Sequence, residues 1–224
     1  MINLNSDSIN LNNEVHLAGR VSGELNYSHE VYGERFLSFV LKVERLSDSS
    51  DYINVTVSER LIKDLVLKDD TPVEIEGQFR SYNNYTLTGS KLILTVFARD
   101  ISVLDDENFV PANNIFLNGF VCKEPVYRIT PFGREITDLL IAANRAYNKS
   151  DYMPCIAWGR NARYSGKLKV GENVKIWGRI QSREYQKRIS DDEVVTRTAF
   201  EISISKMELV AKEEDNSENT IINL

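Results

Sequence analysis

Apolar and polar positions alternate with a period of two over several short stretches. Val15, Leu17, Gly19 and Val21 interleave with Glu14, His16, Ala18 and Arg20, the pattern of a strand buried on one face. The same reading predicts strands over 36–43, at Ile53, Val55 and Val57, from Val73 through Ile75 and Gly77, and over 92–97. Between the third and fourth of these lies a segment with helical spacing, 59–67. Its Leu61, Ile62, Leu65 and Val66 fall on one helix face at i, i+3 and i+4.

The pattern then recurs. A shift of 100 positions lays Leu17, Gly19 and Val21 on Leu117, Gly119 and Val121, Gly33 on Gly133, Arg45 on Arg145, and Ser50-Asp51-Tyr52 on Ser150-Asp151-Tyr152. After one inserted residue, Val73, Ile75 and Gly77 meet Val174, Ile176 and Gly178. A duplicated unit of about 100 residues follows, with its second helical segment at 161–168. Five short strands with one helix before the fourth is the layout of a small, partly open barrel, the OB fold. The predicted fold class is all-β: two tandem OB-fold barrels, each five-stranded with one short helix between strands 3 and 4. Predicted boundaries are 1–107, 108–212 and an acidic, disordered tail at 213–224. Glycine within strands, as at Gly19 and Gly77 and their partners, marks a bulge or sharp bend.

Charge divides the two copies. The net charge of −6 conceals −8 over residues 1–107, +6 over 113–212 and −4 from Glu213 onward. Such asymmetry points to nucleic acid, here for the second copy. Composition is otherwise that of a globular chain, 42% apolar and 27% charged. No apolar run reaches the roughly 18 residues of a membrane helix, and residues 1–13 lack a signal-peptide layout; a cytoplasmic, nucleoid-associated location is expected, with no membrane partner. Cys122 and Cys155 lie far apart and His16 and His29 stand alone. Reduced buried thiols and no metal or other cofactor are the expectation. A Gly-rich phosphate loop, an HExxH motif and a Ser-His-Asp set are all missing, so the chain reads as a binding protein and not an enzyme.

Single strands are held by cations that follow the phosphates and by rings that stack on bases. The second copy interleaves both. Its rings are Tyr127, Phe132, Tyr147, Tyr152, Trp158, Tyr164, Trp177 and Tyr185. Its cations are Arg128, Arg134, Arg145, Lys149, Arg160, Arg163, Arg179, Arg183, Lys187 and Arg188. A small barrel also needs rings in its core, and single arginines are commonly solvated surface. The reading therefore rests on their co-occurrence with the +6 charge. Alternation turns Trp177 away from Ile176, either exposed or covering the barrel's outside.

Three stretches carry a closer likeness: NIFLNGFVCKEPVYRITPFGRE, IAANRAYNKSDYMPCIAWGRNA and LKVGENVKIWGRIQSREY. With Glu124-Pro125, Arg128, Thr130-Pro131 and Gly133, then Gly171, Val174, Ile176, Gly178 and Arg179, residues 113–210 resemble the bacterial single-stranded DNA-binding protein (SSB) family. The resemblance implies sequence-nonspecific binding and protection of single-stranded DNA in replication, recombination or repair. Its base-stacking positions fall on Tyr147, Tyr152, Trp158 and Tyr185. Phosphate contacts are expected from Arg128, Arg134, Arg145, Lys149, Arg160, Arg179, Arg183, Lys187 and Arg188. Single-barrel members form tetramers, which for two barrels per chain implies a homodimer with four OB folds. The family's acidic tip closing in Ile-Pro-Phe recruits other DNA-maintenance proteins. This tail, AKEEDNSENTIINL, lacks the Pro-Phe, which weakens the case for replication or repair partners there.

The first copy departs from the pattern, with Ser47 against Tyr147 and Ser58 against Trp158. It reads as a copy that kept the barrel and lost much of the ligand face. A weak contact through Tyr52, Arg80, Tyr82 and Tyr85 stays open. So does the alternative of a primosome-type assembly module, in which the barrels mainly hold protein partners.

Overall fold

β-Branched and aromatic residues dominate the alternating stretches, and these form strands. A computed structural model describes residues 12–86, 89–188 and 194–211. In the first half, β1 (Asn13–Val31), β2 (Glu34–Glu44), β3 (Ser50–Ser58), β4 (Pro72–Thr86) and β5 (Gly89–Val103) pair in the circuit β1–β2–β3–β5–β4–β1, a closed five-stranded barrel. The second half contains β6 (Ala112–Val121), β7 (Val126–Ile129), β8 (Glu135–Arg145), β9 (Lys149–Trp158), β10 (Asn173–Arg188) and β11 (Val194–Leu209). Its pairings follow the same circuit, β6–β8–β9–β11–β10–β6. β7 is an additional edge strand on β8. It is separate because Pro125 offers no N–H and fixes φ, whereas β1 runs through the equivalent position, Leu25, without a break.

Inward residues of every strand but β7 fill one continuous core, including Leu17, Leu41, Ile53, Ile75 and Phe79 in the first half and Leu117, Ile141, Met153, Ile176 and Ile202 in the second. The strand glycines sit where backbones approach closely. The ladder shifts register at Glu76/Gly77 and again at Trp177/Gly178. A Cβ on Gly77 would stand 2.5 Å from the Phe97 carbonyl oxygen.

The helices differ from expectation at their ends. α1 is a single turn, Glu59–Ile62, because the chain turns away at Lys63 and Asp64. α2 spans Gly159–Ser165 and starts two residues before the expected point, with Trp158 as its N-cap.

The halves join through β1 and β6, which pair antiparallel with Val15 opposite Ile115, Asn13 opposite Leu117 and Leu17 opposite Asn113. Because the repeat offset is 100, this register sets each strand against its own equivalent about a pseudo-two-fold axis. All eleven strands thus belong to one sheet.

Candidate functional site

On β9, Asp151, Met153, Cys155 and Ala157 point into the core, while Tyr152, Pro154, Ile156 and Trp158 point out. Tyr152 and Trp158 therefore share a face, about 20 Å apart at roughly 3.3 Å per residue. The ladders carry this face sideways: Ile156 adjoins Ser203 of β11, and Ser203 adjoins Arg179 of β10. Beyond Arg179 on the same side of β10 come Gln181 and Arg183. The Gln181 side-chain amide donates to the buried Glu201 at 2.6 Å.

A groove of about 490 Å³ opens over that face, lined by Arg134, Trp158, Arg179, Gln181, Ser182, Arg183 and Ser203, and by Arg45 from the first half. The nearest carboxylates are Asp51, which accepts from Arg179 at 3.3 Å, and Glu201, 3.8 Å from Arg183. Four arginines against two carboxylates leave the groove cationic. Trp158 stands 38% exposed in its wall. Low dielectric walls and net positive charge attract a polyanion, and the indole face suits a base.

Trp158 holds its place at a local cost. As N-cap of α2 it makes no side-chain cap hydrogen bond, whereas Ser58, its counterpart, accepts from the Arg60 backbone N–H at 3.2 Å. A serine cap is worth about 1 kcal/mol. Tyr147 is strained as well. It sits at the tip of the β8–β9 turn, 94% exposed, with φ of 62°, and Asn148 follows at 53°. A bulky residue rarely adopts that conformation.

The remaining sequence-predicted residues divide into three groups. Arg128 grips Asp138 (2.7 and 3.3 Å), which raises its pKa, and Arg145 lies 3.6 Å from Asp151. Arg134, Lys149 and Arg160 are exposed and make no ion pair among the described residues. Tyr185, Lys187 and Arg188 lie on the backbone of β10, with Tyr185 opposite Arg197 of β11; their side chains, like that of Tyr85 on β4, lie outside the described residues, as does the tail 213–224. Trp177 covers the barrel's outside, tilted against Phe116 at 5.2 Å with the Lys206 ammonium 4.4 Å from its ring centre. Arg45 was not among the expected contacts. Its only sequence signal was the alignment with Arg145, because nothing in a linear chain shows that it reaches the opposite half.

In the first half the equivalent groove, of about 590 Å³, is lined differently, by Glu34, Phe36, Ser58, Arg60, Phe97 and Arg99. Glu34 stands where the second half has Arg134. It accepts hydrogen bonds from Ser58 (2.5 Å) and Arg60 (2.9 Å), which hold its carboxyl below the usual range. Phe97 lies opposite Gln78 as Ser203 lies opposite Arg179, and the Arg80 guanidinium folds over the Phe97 ring at 4.0 Å. Burial, with repulsion from Arg145 and Arg99, lowers the Arg80 pKa, and its Nε has no hydrogen-bond partner among the described residues. Tyr52 and Tyr82 are about half exposed.

Residues 112–210 match the family model described as "Single-strand binding protein family". Single-stranded DNA-binding protein 2 of Listeria innocua is 31% identical over 97 residues, covering 38% of this chain and 61% of its own. The chain thus spans less than two thirds of that relative's length. A solved structure, the deletion mutant of the single-stranded DNA binding protein from Thermus aquaticus, superposes with a TM-score of 0.74 at 18% identity, over 92% of this chain and 98% of its own. The dimeric N-terminal domain of PriB protein from Thermoanaerobacter tencongensis is 53% identical over 42% of this chain and 99% of its own, with a TM-score of 0.39.

Proposed function

We propose, from the match of residues 112–210 to the single-strand binding protein family model, that this chain binds single-stranded DNA without sequence preference, as a non-enzymatic protein of replication, recombination or repair. The observation that carries the reading is the groove in which Trp158 stands among Arg134, Arg179 and Arg183. Rings accept any base because every base has a π-face, and cations follow a backbone that carries no sequence information. Tyr152, on the same outward face, and Tyr147, at the end of the β8–β9 hairpin, extend the row of rings; Tyr185 belongs to it by the family resemblance. Lys149 and Arg160 add exposed positive charge nearby.

Division of labour between the halves is part of the proposal. The second carries the DNA platform. The first, with Glu34 bonded to Ser58 and Arg60 and with Phe97 under Arg80, serves as the assembly half. Two chains then associate as a homodimer with four OB folds. No described helix is long and apolar enough to cross a membrane; a cytoplasmic, nucleoid-associated location goes with the proposed ligand.

Quenching of Trp158 and Trp177 fluorescence by oligo-dT, run against duplex DNA and RNA, tests the reading. Strong quenching by oligo-dT and little by duplex is expected. No response to any single strand would refute it.

A further inference from the structure

The β7–β8 hairpin ends in a turn that holds a ring out into solvent. Phe132 stands at its apex, 91% exposed. The turn is tied on both sides. The Gly133 N–H donates to the Thr130 carbonyl at 2.8 Å, the Thr130 N–H to the Arg134 carbonyl at 2.8 Å, and the Arg134 N–H to the Thr130 hydroxyl at 3.1 Å. Pro131 fixes its own φ. Gly133, at a φ of 74°, supplies the left-handed residue of a three-residue hairpin loop.

This apex lies beyond Trp158 on the same ribbon of strands. Trp158 is opposite Ile136, and Ile136 opposite Arg128, and cross-strand partners share a face. Arg134 is two positions from Ile136 toward the turn and Phe132 four, at most about 13 Å along the chain. Tyr147, 94% exposed, marks the opposite end of the β8–β9 ribbon. Charge around the apex suits a polyanion. Residues 126–138 and 158–165 carry Arg128, Arg134, Arg160 and Arg163 against Glu135 and Asp138. Glu135 is taken up by the Tyr127 hydroxyl at 2.7 Å and by Arg163 at 3.1 Å, and Asp138 by Arg128 at 2.7 Å. Arg134 and Arg160 keep their charge free among the described residues, and Arg134 also lines the Trp158 groove. In the first half Tyr32 is as exposed as Phe132, but it shares its pocket with Glu34.

The geometry points to Phe132 as a further base-contacting residue: a nucleobase of the bound single strand stacks on its ring, and Arg134 holds the phosphate between that base and the one on Trp158. This rests on the single-strand reading above and extends the site past Trp158 onto the β7–β8 hairpin. The tied turn limits the conformational entropy lost on binding.

Oligo-dT titrations of the full chain test this with the native protein, Phe132→Ala, Phe132→Leu and Phe132→Trp, each with a melting curve. A lost stacking ring is read as about a fivefold or greater fall in affinity. Phe132→Ala and Phe132→Leu are both expected to show it, because leucine is apolar but has no π-face. Both are expected to keep the native melting temperature and the native log–log salt slope, since no phosphate contact is removed. Phe132→Trp is expected to keep the affinity and to add emission that oligo-dT quenches. Native affinity in Phe132→Ala overturns the inference. So does added emission in Phe132→Trp that oligo-dT leaves unquenched, the result expected of a ring that docks a protein instead. Should Phe132→Ala fail to fold, the quenching in Phe132→Trp decides. A native chain that binds no oligo-dT refutes the proposed function as well, whereas native binding with a silent Phe132 overturns this inference alone.

Discussion

Asp51 of the first half accepts a hydrogen bond from the backbone N–H of Ser182 in the second at 3.0 Å, and the Ser182 hydroxyl accepts one from the Tyr52 N–H at 2.9 Å. The exchange is repeated across the pseudo-two-fold axis. Asp151 accepts from the Ser81 N–H at 2.9 Å, and the Ser81 hydroxyl accepts from the Tyr152 N–H at 2.7 Å. These reciprocal contacts and the β1–β6 ladder make the two halves behave as a dimer within one chain. Removing a buried carboxylate that serves two arginines strands both charges. The loss, up to about 3–5 kcal/mol for a fully buried pair, is discounted here to about 2 kcal/mol because both arginines reach solvent. Asp51→Ala is expected to destabilise by that amount and to separate urea unfolding of the halves. A single transition at the native midpoint would contradict this.

Trp158 sets stability against binding. Trp158→Ser restores a side-chain N-cap to α2, a gain of about 1 kcal/mol, and deletes a stacking surface worth roughly 1–3 kcal/mol per base. Thermal melting is expected to hold or rise while oligo-dT affinity falls about tenfold or more. A lower melting temperature with intact affinity would assign the indole to packing.

Arg134 and Glu34 occupy equivalent places with opposite charge. Arg134→Glu is expected to weaken oligo-dT binding and to lower the salt slope by at least about 0.7, with little effect on melting, since Arg134 is exposed. Isothermal titration at two salt concentrations distinguishes this from a general loss of fold.

Close backbone approach predicts the cost of adding one carbon. In Gly119→Ala the new Cβ meets the Ala142 carbonyl oxygen at 2.6 Å, in the short contact that closes the second circuit of strands. Overpacking of this kind costs about 1–3 kcal/mol, read as a lower urea midpoint. Gly133→Ala tests a different cause, strain at a φ of 74° in open space.

Cys155 titrates far above its ordinary value because burial disfavours the thiolate, with Glu201 adding to the effect. An acid whose folded pKa is raised stabilises the fold below its unfolded pKa, and that contribution is lost as pH rises above it. From about pH 9 upward, melting temperature is therefore expected to fall more steeply in the native chain than in Cys155→Ala. Equal slopes would remove Cys155 as a source.

The sequence by itself determined the strands, the duplication and the opposite charge of the two copies. These are one-dimensional quantities: alternation reports which face is buried, an offset of 100 reports the repeat, and charge adds along the chain. It also placed Tyr147, Tyr152 and Trp158 on or beside one strand. Only the tertiary structure decided which cations stay open. Arg128 and Arg145 are engaged by Asp138 and Asp151, while Arg134 stands beside Trp158. It also brought Arg45 across to Arg179 and folded Arg80 onto Phe97. Those outcomes depend on distances between residues up to more than a hundred positions apart, which pairing register and the packing of the two halves set and local pattern does not encode.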